Sequence, residues 1–284
     1  RVAGRFRPDL VLTYGGDAAS TGAVAAAKQS GARAVFWLHN VEYRSPGCFA
    51  ACDAIVVPSR SHQDHYRRTL GLTTTIIPGP WDIERVRCDA RNPRFATFVN
   101  PERAKGACWF ARVAEQLHLQ NSGVEFLVVE GRGRVNAIAS GGIDLSDVTS
   151  IHQMKNTPDP RAFYEVTKVL LMPSLVSEGL PRTAVEAMLN GIPVIGSGRG
   201  GLSEVLSLAG DRLDIPEKYL PDTRIPPEPS EVTAWVDRLS QLWTDPAEYE
   251  RASAAALAAS TVWHPDRLFP RWEEFLTRIA AGNR

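Results

Sequence analysis

The 284-residue sequence has no excess of charge of either sign, because its 32 basic and 32 acidic residues give a formal net charge of zero. We therefore expect no nucleic-acid partner, since proteins that bind nucleic acid present a positive surface to it. The sequence also lacks an apolar run long enough to span a bilayer. No signal peptide is visible, although a chain that begins with Arg1 leaves processing or truncation open. These absences predict a cytoplasmic protein, either free or peripheral at a membrane.

Cysteine is scarce as well, and its spacing is not that of a disulfide scaffold, which indicates reduced thiols. The four residues are Cys48, Cys52, Cys88 and Cys108. The first two form a candidate zinc set with His62 and His65, but Cys52 leads directly into a predicted strand and is better explained as buried packing. No Asp-x-Asp pair with metal-ligand spacing stands at a predicted strand end. We therefore expect no metal cofactor.

The composition is that of a soluble globular protein, with 44% apolar and 23% charged residues and enough length for two domains. Short apolar runs alternate with helical patterns, which predicts parallel strands joined by crossover helices and an α/β fold. The predicted strands are residues 9–14, 34–38, 54–57, 73–77, 95–99, 124–130, 148–152, 168–172 and 192–195. The predicted helices are residues 18–29, 59–70, 159–166, 182–189, 231–243, 247–260 and 263–279, the last interrupted by Pro270.

One stretch, residues 173–204, organises the chain. It follows the apolar strand 168–172 and contains a loop that feeds the helix 182–189. A second strand, 192–195, then leads into a glycine-rich loop and another helix. Both loops therefore lie at the carboxyl ends of adjacent parallel strands and open helix N-termini. That edge of an α/β sheet is where ligands bind, and helix N-termini there favour phosphate.

Two glutamates in this stretch, Glu178 and Glu186, are separated by seven residues. We place Glu178 on the first loop, free to face a ligand, and Glu186 about one helical turn farther on. A carboxylate accepts two hydroxyl hydrogen bonds at once, which suits the vicinal diol of a sugar or a ribose. Two solvated surface carboxylates are the alternative. The flanking elements EGLP, EAM, NGIPVI and GG disfavour that alternative.

The stretch resembles the donor-binding signature of family-4 retaining glycosyltransferases, which have the GT-B fold. The resemblance rests on the two spaced glutamates, then small-G-x-P-V-I, then G-G-x-x-E. It implies two Rossmann-like domains that face each other across a cleft. It also implies transfer of a sugar from a nucleotide-diphosphate sugar, with UDP or GDP as the nucleotide, with retention of configuration. The acceptor would be a sugar, a lipid-linked molecule or a small molecule, and no metal would be needed.

The same resemblance assigns the catalytic roles to Glu178, His39 and Lys105. Glu178 would hold the donor sugar, His39, at the end of a predicted strand, would face the transferred sugar and the acceptor, and Lys105 would bind the diphosphate. A structural hydrogen-bonding role is the alternative for His39. The family carries an arginine five positions before the lysine, where this chain has Asn100. Arg103 or Arg182 would then have to substitute for it.

The predicted donor site is larger than these residues. Glu186 would bind the ribose, Gly131 belongs to a G-x-G turn, and Met154 lies in the loop 153–158 expected to hold the nucleobase. The full donor set is Asn100, Arg103, Lys105, Gly131, Met154, Glu178, Gly179, Leu180, Pro181, Arg182, Thr183 and Glu186.

Four segments make up the predicted domain organisation. Residues 1–81 form a partial amino-terminal domain on the acceptor side, and residues 82–93 are a charged linker that ends in Asn-Pro. Residues 94–262 form the nucleotide-sugar domain, and residues 263–284 a terminal helix that packs back toward the first domain. In the family that this sequence resembles, further strand–helix units precede the segment with which this chain begins. We therefore expect that domain to be incomplete, with an additional amino-terminal segment or a second chain completing it.

Two other functions fit the same pattern. A sugar-nucleotide epimerase or hydrolase of the same architecture would bind the donor without an acceptor. A non-catalytic nucleotide-sugar-binding protein would only retain it. Labelled nucleotide sugars separate the three functions, because transfer, epimerisation or hydrolysis, and simple retention give different products.

Overall fold

Two parallel β-sheets form the framework of the protein, whose computed structural model describes residues 5–139 and 142–282. Each sheet belongs to a separate compact unit. The first unit comprises Arg1–Trp81 and Val262–Arg284, and the second comprises Asp82–Thr261. The expected α/β class with parallel strands is confirmed in both units.

The sheet of the first unit has four parallel strands in the order β1-β2-β3-β4. The strands are β1 (Leu10–Thr13), β2 (Arg33–Trp37), β3 (Ala54–Val57) and β4 (Thr75–Ile76). Helix α1 (Ala18–Gln29) begins after Asp17, whose side chain accepts hydrogen bonds from the first turn. Helix α2 (Arg60–Leu70) begins after Ser59 in the same way and ends at the left-handed Gly71.

The terminal helix, Pro265–Ala280, completes the first unit. It packs Trp272, Phe275 and Ile279 against the strands of that unit, and the Trp272 indole donates a hydrogen bond of 2.9 Å to the Pro78 carbonyl. The predicted interruption at Pro270 is wrong, because the helix is continuous through that residue. Pro270 is exposed, so the carbonyl that loses its helical partner can be solvated while the buried residues on either side keep the helix packed.

The second unit contains a six-stranded parallel sheet in the order β10-β9-β8-β5-β6-β7. The strands are β5 (Phe95–Val99), β6 (Glu125–Val129), β7 (Ile151–Met154), β8 (Thr167–Met172), β9 (Val194–Gly196) and β10 (Asp211–Arg212). The central strand β5 pairs with β6 on one side and β8 on the other. Strands β5, β6 and β7 extend the sheet in one direction, and β8, β9 and β10, which follow them in the chain, extend it from β5 in the other. The gap beyond the ends of β5 and β8 is thus the switch point at which open sheets of this kind bind ligands.

Helices cover both faces of the second sheet, as expected for a parallel sheet whose central strands β5, β6 and β8 are largely apolar and buried. They are α3 (Ile83–Val86), α4 (Ala107–Leu119), α5 (Asn136–Ala139), α6 (Arg161–Tyr164), α7 (Arg182–Leu189), α8 (Gly201–Ala209), α9 (Thr233–Thr244) and α10 (Pro246–Ser260). Short 3-10 turns occur at Pro46–Phe49, Arg103–Lys105, Pro229–Val232 and Thr261–Trp263. The core lies between β5, β6 and β8 and the helices α4 and α9, with Phe98, Phe110, Phe126 and Trp235 buried.

Two local expectations in this unit change. Strand β7 spans Ile151–Met154 rather than 148–152, because residues before it form a turn closed by a hydrogen bond from Val148 N to the Leu145 carbonyl. The segment 82–93, predicted to be a linker, contains the one-turn helix α3 and is fastened to the second unit. Asn190 accepts a 2.8 Å hydrogen bond from Cys88 N, and Arg91 donates to the Thr167 carbonyl at 2.5 Å.

Candidate functional site

A pocket of about 190 Å³ opens at the switch point between β5 and β8. Its wall comes from the ends of those two strands, from the loop that follows β8, and from the first turn of α7. The lining residues are Phe98, Val99, Asn100, Lys105, Arg132, Leu170, Leu171, Met172, Ser174, Glu178, Pro181, Arg182 and Thr183. The carboxyl edge of the sheet therefore carries a pocket at the place for which the sequence predicts a site. The apolar strand ends form its floor, and cationic and hydroxyl side chains surround its mouth.

Asn100 directly follows β5 and fixes the turn that follows β6. Its backbone is left-handed, with a φ of 60°. Its Oδ1 accepts a hydrogen bond from Gly133 N at 2.7 Å, while its Nδ2 donates to Glu102 Oε1 at 3.0 Å. A Cβ on Gly131 would stand 2.8 Å from Asn100 Oδ1, and one on Gly133 would stand 2.6 Å from the Pro101 carbonyl carbon. The G-x-G turn can therefore lie against residues 100–102 only because it has no side chains at those two positions.

Lys105 reaches the pocket from the 3-10 turn Arg103–Lys105. The next residue, Gly106, has a φ of 86°, and a Cβ there would lie 1.8 Å from the Pro173 carbonyl oxygen. Only glycine allows this approach, which brings the turn directly beside the loop after β8. Lys105 Nζ then donates a 2.6 Å hydrogen bond to Glu178 Oε1. The lysine is thereby held at the pocket rather than in open solvent.

Glu178 is largely buried, with 10% of its side chain exposed, so it is not the free loop carboxylate that the sequence suggested. Its Oε1 also accepts a 2.6 Å hydrogen bond from Ser174 Oγ, and Ser174 is itself buried. The Ser174 carbonyl in turn accepts a 2.6 Å hydrogen bond from Ser197 Oγ, which follows β9. The Glu178 carbonyl accepts one of 2.7 Å from Gly201 N, at the start of α8. The two predicted loops are therefore joined, with Glu178 between them.

Helix α7 presents its N-terminus to the pocket through Pro181, Arg182 and Thr183. No side chain in the described part of the chain caps this helix end, and Ala184 N donates to the Pro181 carbonyl at 3.1 Å. The amide groups available to a ligand are therefore those of Arg182 and Thr183. They carry the positive end of the helix dipole, which favours an anion.

Glu186 lies on the same helix but not on the wall of the pocket. Its Oε1 accepts hydrogen bonds from Nε and Nη2 of Arg182, both at 3.2 Å, and its Oε2 accepts one from Tyr164 Oη at 3.0 Å. Tyr164 is completely buried, and this burial, together with the charge of Glu186, raises the pKa of the phenol well above its ordinary value. The phenol therefore keeps its proton at physiological pH and donates it to Glu186 Oε2, with the Thr183 carbonyl 3.3 Å away as a second acceptor within reach.

Among the described residues that line the pocket, Lys105, Arg132 and Arg182 are cationic and stand at its mouth, and Glu178 supplies the one carboxylate. Arg132 is not among the site residues predicted from the sequence. Its position between the two glycines of the G-x-G turn could have pointed to it, but the motif was taken only to predict a turn. Arg103, which was offered as a substitute for the family arginine, does not line the pocket.

The structure thus brings about half of the predicted donor set together. The members on the pocket wall are Asn100, Lys105, Glu178, Pro181, Arg182 and Thr183. The members off the wall are Arg103, Gly131, Met154, Gly179, Leu180 and Glu186. Met154 is the last residue of β7 rather than part of the following loop, and its carbonyl accepts a 2.8 Å hydrogen bond from Glu130 N. Gly131 contributes through its turn, and Gly179 and Leu180 belong to the loop between Glu178 and α7.

His39 belongs to the first unit, where it is exposed just beyond β2. Its ring lies 4.3 Å from that of Trp37, centre to centre. Helix α2 holds its backbone, because His62 Nε2 donates a 3.1 Å hydrogen bond to the His39 carbonyl and Tyr66 Oη one of 2.7 Å to the Asn40 carbonyl. Burial lowers the pKa of His62 to about 4, so its ring is neutral at physiological pH.

Two further observations concern metals and membranes. Among residues 5–139 and 142–282, no group of three or more His, Cys, Asp or Glu side chains is arranged to hold a metal ion, and this includes the candidate zinc set. Within the same residues, no helix combines the length and the apolar character that crossing a membrane requires.

A parallel α/β sheet with a cation-rimmed pocket at its switch point defines a protein class that binds anionic, nucleotide-like ligands. Comparison with known proteins narrows this class. The model of a family described as glycosyl transferases group 1 matches residues 94–245, more than half of the chain. The chain therefore belongs to the group 1 glycosyltransferases and is a transferase of glycosyl groups.

Solved structures support the fold. Anabaena Alr3699/HepE, crystallised with UDP and glucose, is 16% identical, with a TM-score of 0.72 over 97% of this chain and 80% of that one. A Rickettsia africae glycosyltransferase is 12% identical, with a TM-score of 0.72 over 100% of this chain and 79% of that one. Sucrose-phosphate synthase from Thermosynechococcus elongatus is 14% identical, with a TM-score of 0.71 over 99% of this chain and 76% of that one. The chain thus has the GT-B fold. No curated protein sequence matches it significantly.

Proposed function

We propose that this group 1 glycosyltransferase transfers a sugar from a nucleoside-diphosphate sugar to an acceptor hydroxyl in the cytoplasm, with retention of configuration and without a metal. UDP or GDP is the proposed nucleotide, and UDP has the additional support that similar structures contain it. The acceptor is proposed to be a sugar, a lipid-linked molecule or a small molecule. The observation that carries this proposal is the Lys105–Glu178 ion pair in the pocket at the switch point.

The diphosphate is proposed to bind at the mouth of the pocket. There its charge meets Lys105, Arg132, Arg182 and the open amide groups of the first turn of α7. As the bond from the sugar to the diphosphate breaks, negative charge grows on the leaving oxygen. Fixed positive groups aimed at that position stabilise the transition state more than the ground state.

Glu178 is proposed to hold the donor sugar. Within the described residues, its hydrogen bonds from Lys105 and Ser174 both fall on Oε1, which leaves Oε2 able to accept bonds from sugar hydroxyls. In that position the carboxylate would also favour positive charge on the sugar as the leaving group departs. When a diphosphate takes over Lys105, Ser174 still fixes the orientation of Glu178.

Glu186 is proposed to bind the ribose hydroxyls. Tyr164 is buried and holds Oε2, whereas the side chain of Arg182 is 70% exposed and can leave Oε1. On donor binding, Arg182 would turn from Glu186 to the diphosphate and free Oε1 for the ribose. For His39 the support is the family resemblance, which assigns it to the transferred sugar and the acceptor. His39→Ala tests that role by turnover, which we expect to fall much more than nucleotide affinity.

The test begins with binding. Nucleoside diphosphates are added to the full chain and unfolding is followed, with about 2.7 kcal/mol of stabilisation expected when the ligand is at 100 times its dissociation constant. Lys105→Ala should weaken nucleoside-diphosphate binding by about 10- to 100-fold, the equivalent of a charge-assisted hydrogen bond. Lys218→Ala is the matched control, because Lys218 is an exposed lysine that is also paired with a glutamate, Glu231.

Turnover is measured next, with labelled nucleotide sugars and a panel of acceptors, and the anomeric configuration of the product is read by NMR. Transfer with retention supports the proposal. Free sugar or an epimerised nucleotide sugar, with no transfer to any acceptor, would replace it with the hydrolase or epimerase alternative. A protein that neither binds nor turns over any nucleoside-diphosphate sugar would refute it.

A further inference from the structure

We infer that Arg132 is a diphosphate-binding residue of this chain and that Asn100 is the residue that positions it. The inference rests on the proposed function, since it concerns the same pocket. It goes beyond that function because it assigns the two residues a joint role: Asn100 serves as an anchor, and the neighbouring turn supplies the cation.

The first support is how the side chain of Asn100 is used. Both ends of its amide are engaged, Oδ1 with Gly133 N at 2.7 Å and Nδ2 with Glu102 Oε1 at 3.0 Å. Asn100 lines the pocket, but with both ends of its amide engaged in this way its side chain serves to fix the turn 131–133. The close packing of Gly131 and Gly133 against residues 100–102 leaves Arg132 as the one side chain of that turn, and it lines the pocket.

The second support is a comparison of the three cations at the mouth. Lys105 is held by Glu178 at 2.6 Å, and Arg182 is held by Glu186 through two hydrogen bonds of 3.2 Å. Arg132 contacts Glu102 Oε1 at 3.5 Å through a side chain that is 86% exposed. Such an exposed, long ion pair contributes little, so exchanging it for a phosphate costs little. Arg132 is therefore the cation most easily transferred to an incoming diphosphate.

The third support is chemical. The guanidinium group presents paired N–H donors that match two phosphate oxygens at once. Ligands that lack the second phosphate would leave those donors with less to bind. Arg132 should therefore contribute to the preference for a nucleoside diphosphate over the corresponding monophosphate.

The experiment compares Arg132→Ala with Arg134→Ala by calorimetry with UDP and UMP, or with GDP and GMP if the protein prefers guanine. Arg134 is the matched control, because it is an exposed arginine two residues away that is paired with Glu130 and lies off the pocket wall. Arg132→Ala should weaken diphosphate binding by about 10- to 100-fold and monophosphate binding by much less. Arg132→Lys should fall between, and Arg134→Ala should change either affinity less than about twofold.

The anchoring role is tested with Asn100→Gly, which keeps the left-handed backbone but removes the side chain. It should also weaken diphosphate binding, and adding it to Arg132→Ala should cause little further loss, because both changes remove the same contact. Thermal unfolding of each variant shows whether the fold is intact. Failure of the unaltered protein to bind any nucleoside diphosphate would overturn the proposed function. Binding by the unaltered protein that Arg132→Ala leaves unchanged would overturn this inference alone, and fully additive effects of the two changes would overturn the anchoring role.

Discussion

The contact between Tyr164 and Glu186 allows a prediction that separates stability from binding. Tyr164 is completely buried, and its hydroxyl donates to a carboxylate whose side chain is 10% exposed. Tyr164→Phe removes the donor and keeps the ring, so no cavity forms. The carboxylate oxygen then loses a bond worth about 1.5–3 kcal/mol, less whatever water restores. We expect the variant to be destabilised by about 2 kcal/mol, or roughly 4–8 °C in melting temperature for a domain of this size.

The same variant should bind nucleotide more weakly. Without Tyr164, Glu186 depends on Arg182 alone, so it releases the arginine less readily and is oriented less firmly toward a ribose. Melting is followed by circular dichroism and affinity by calorimetry, with Tyr14→Phe, an exposed tyrosine, as the control expected to change neither. A melting temperature equal to that of the unaltered protein would show that the buried hydroxyl does not hold Glu186. Unchanged nucleotide affinity together with a lower melting temperature would leave Tyr164 a purely structural role and count against Glu186 as the ribose ligand.

Two further predictions concern backbone and pH. Gly106→Ala should destabilise the second unit by about 2–5 kcal/mol, because the backbone there is left-handed and a Cβ would clash with the Pro173 carbonyl. The control Gly123→Ala is also left-handed but lies in open space, so it should cost only about 1 kcal/mol. Equal losses of unfolding free energy in chemical denaturation would mean that the clash at Pro173 is relieved at little cost. In the folded protein His62 has a pKa of about 4, against an ordinary value of 6.5. Between pH 6.5 and pH 4 the unfolded chain therefore binds a proton at this residue that the folded protein does not bind. Roughly 3 kcal/mol of unfolding free energy should be lost as the pH falls from 6.5 toward 4. Denaturation at several pH values should show this loss in the unaltered protein and a smaller one in His62→Gln, and the same pH dependence in both would exclude His62 as its source.

The second sheet and its edge could be predicted because their signals are local. Strand β8, the loop with Glu178, helix α7 and strand β9 follow one another within a single stretch, and each is marked by apolar runs or by glycine and proline at its ends. The pairing of β5 with β8 could not be read in the same way, because it joins segments about 70 residues apart and depends on the whole sheet. Arg132 was missed for the same kind of reason, since it follows β6, and it shares a pocket with Lys105 and Arg182 only because β5 pairs with both β6 and β8.

The loop that carries Glu178 and the helix that carries Glu186 could also be predicted from the sequence, but the hydrogen-bond partners of the two carboxylates could not. The sequence predicted a free Glu178 and named no partner for Glu186, whereas the fold gives each carboxylate a hydroxyl donor and a cation. The partners are Ser174 and Lys105 for Glu178, and Tyr164 and Arg182 for Glu186. The hydroxyls are buried and fixed, while the cations stand at the pocket mouth. An arriving anion can thus compete for the cations without displacing the hydroxyls, so each carboxylate keeps its orientation. Arg182 would then release Oε1 of Glu186, whereas Oε2 of Glu178 carries neither of these two hydrogen bonds from the start. In the proposed function, binding the diphosphate and preparing the two carboxylates for sugar and ribose would then be a single event, because the same lysine and arginine take part in both.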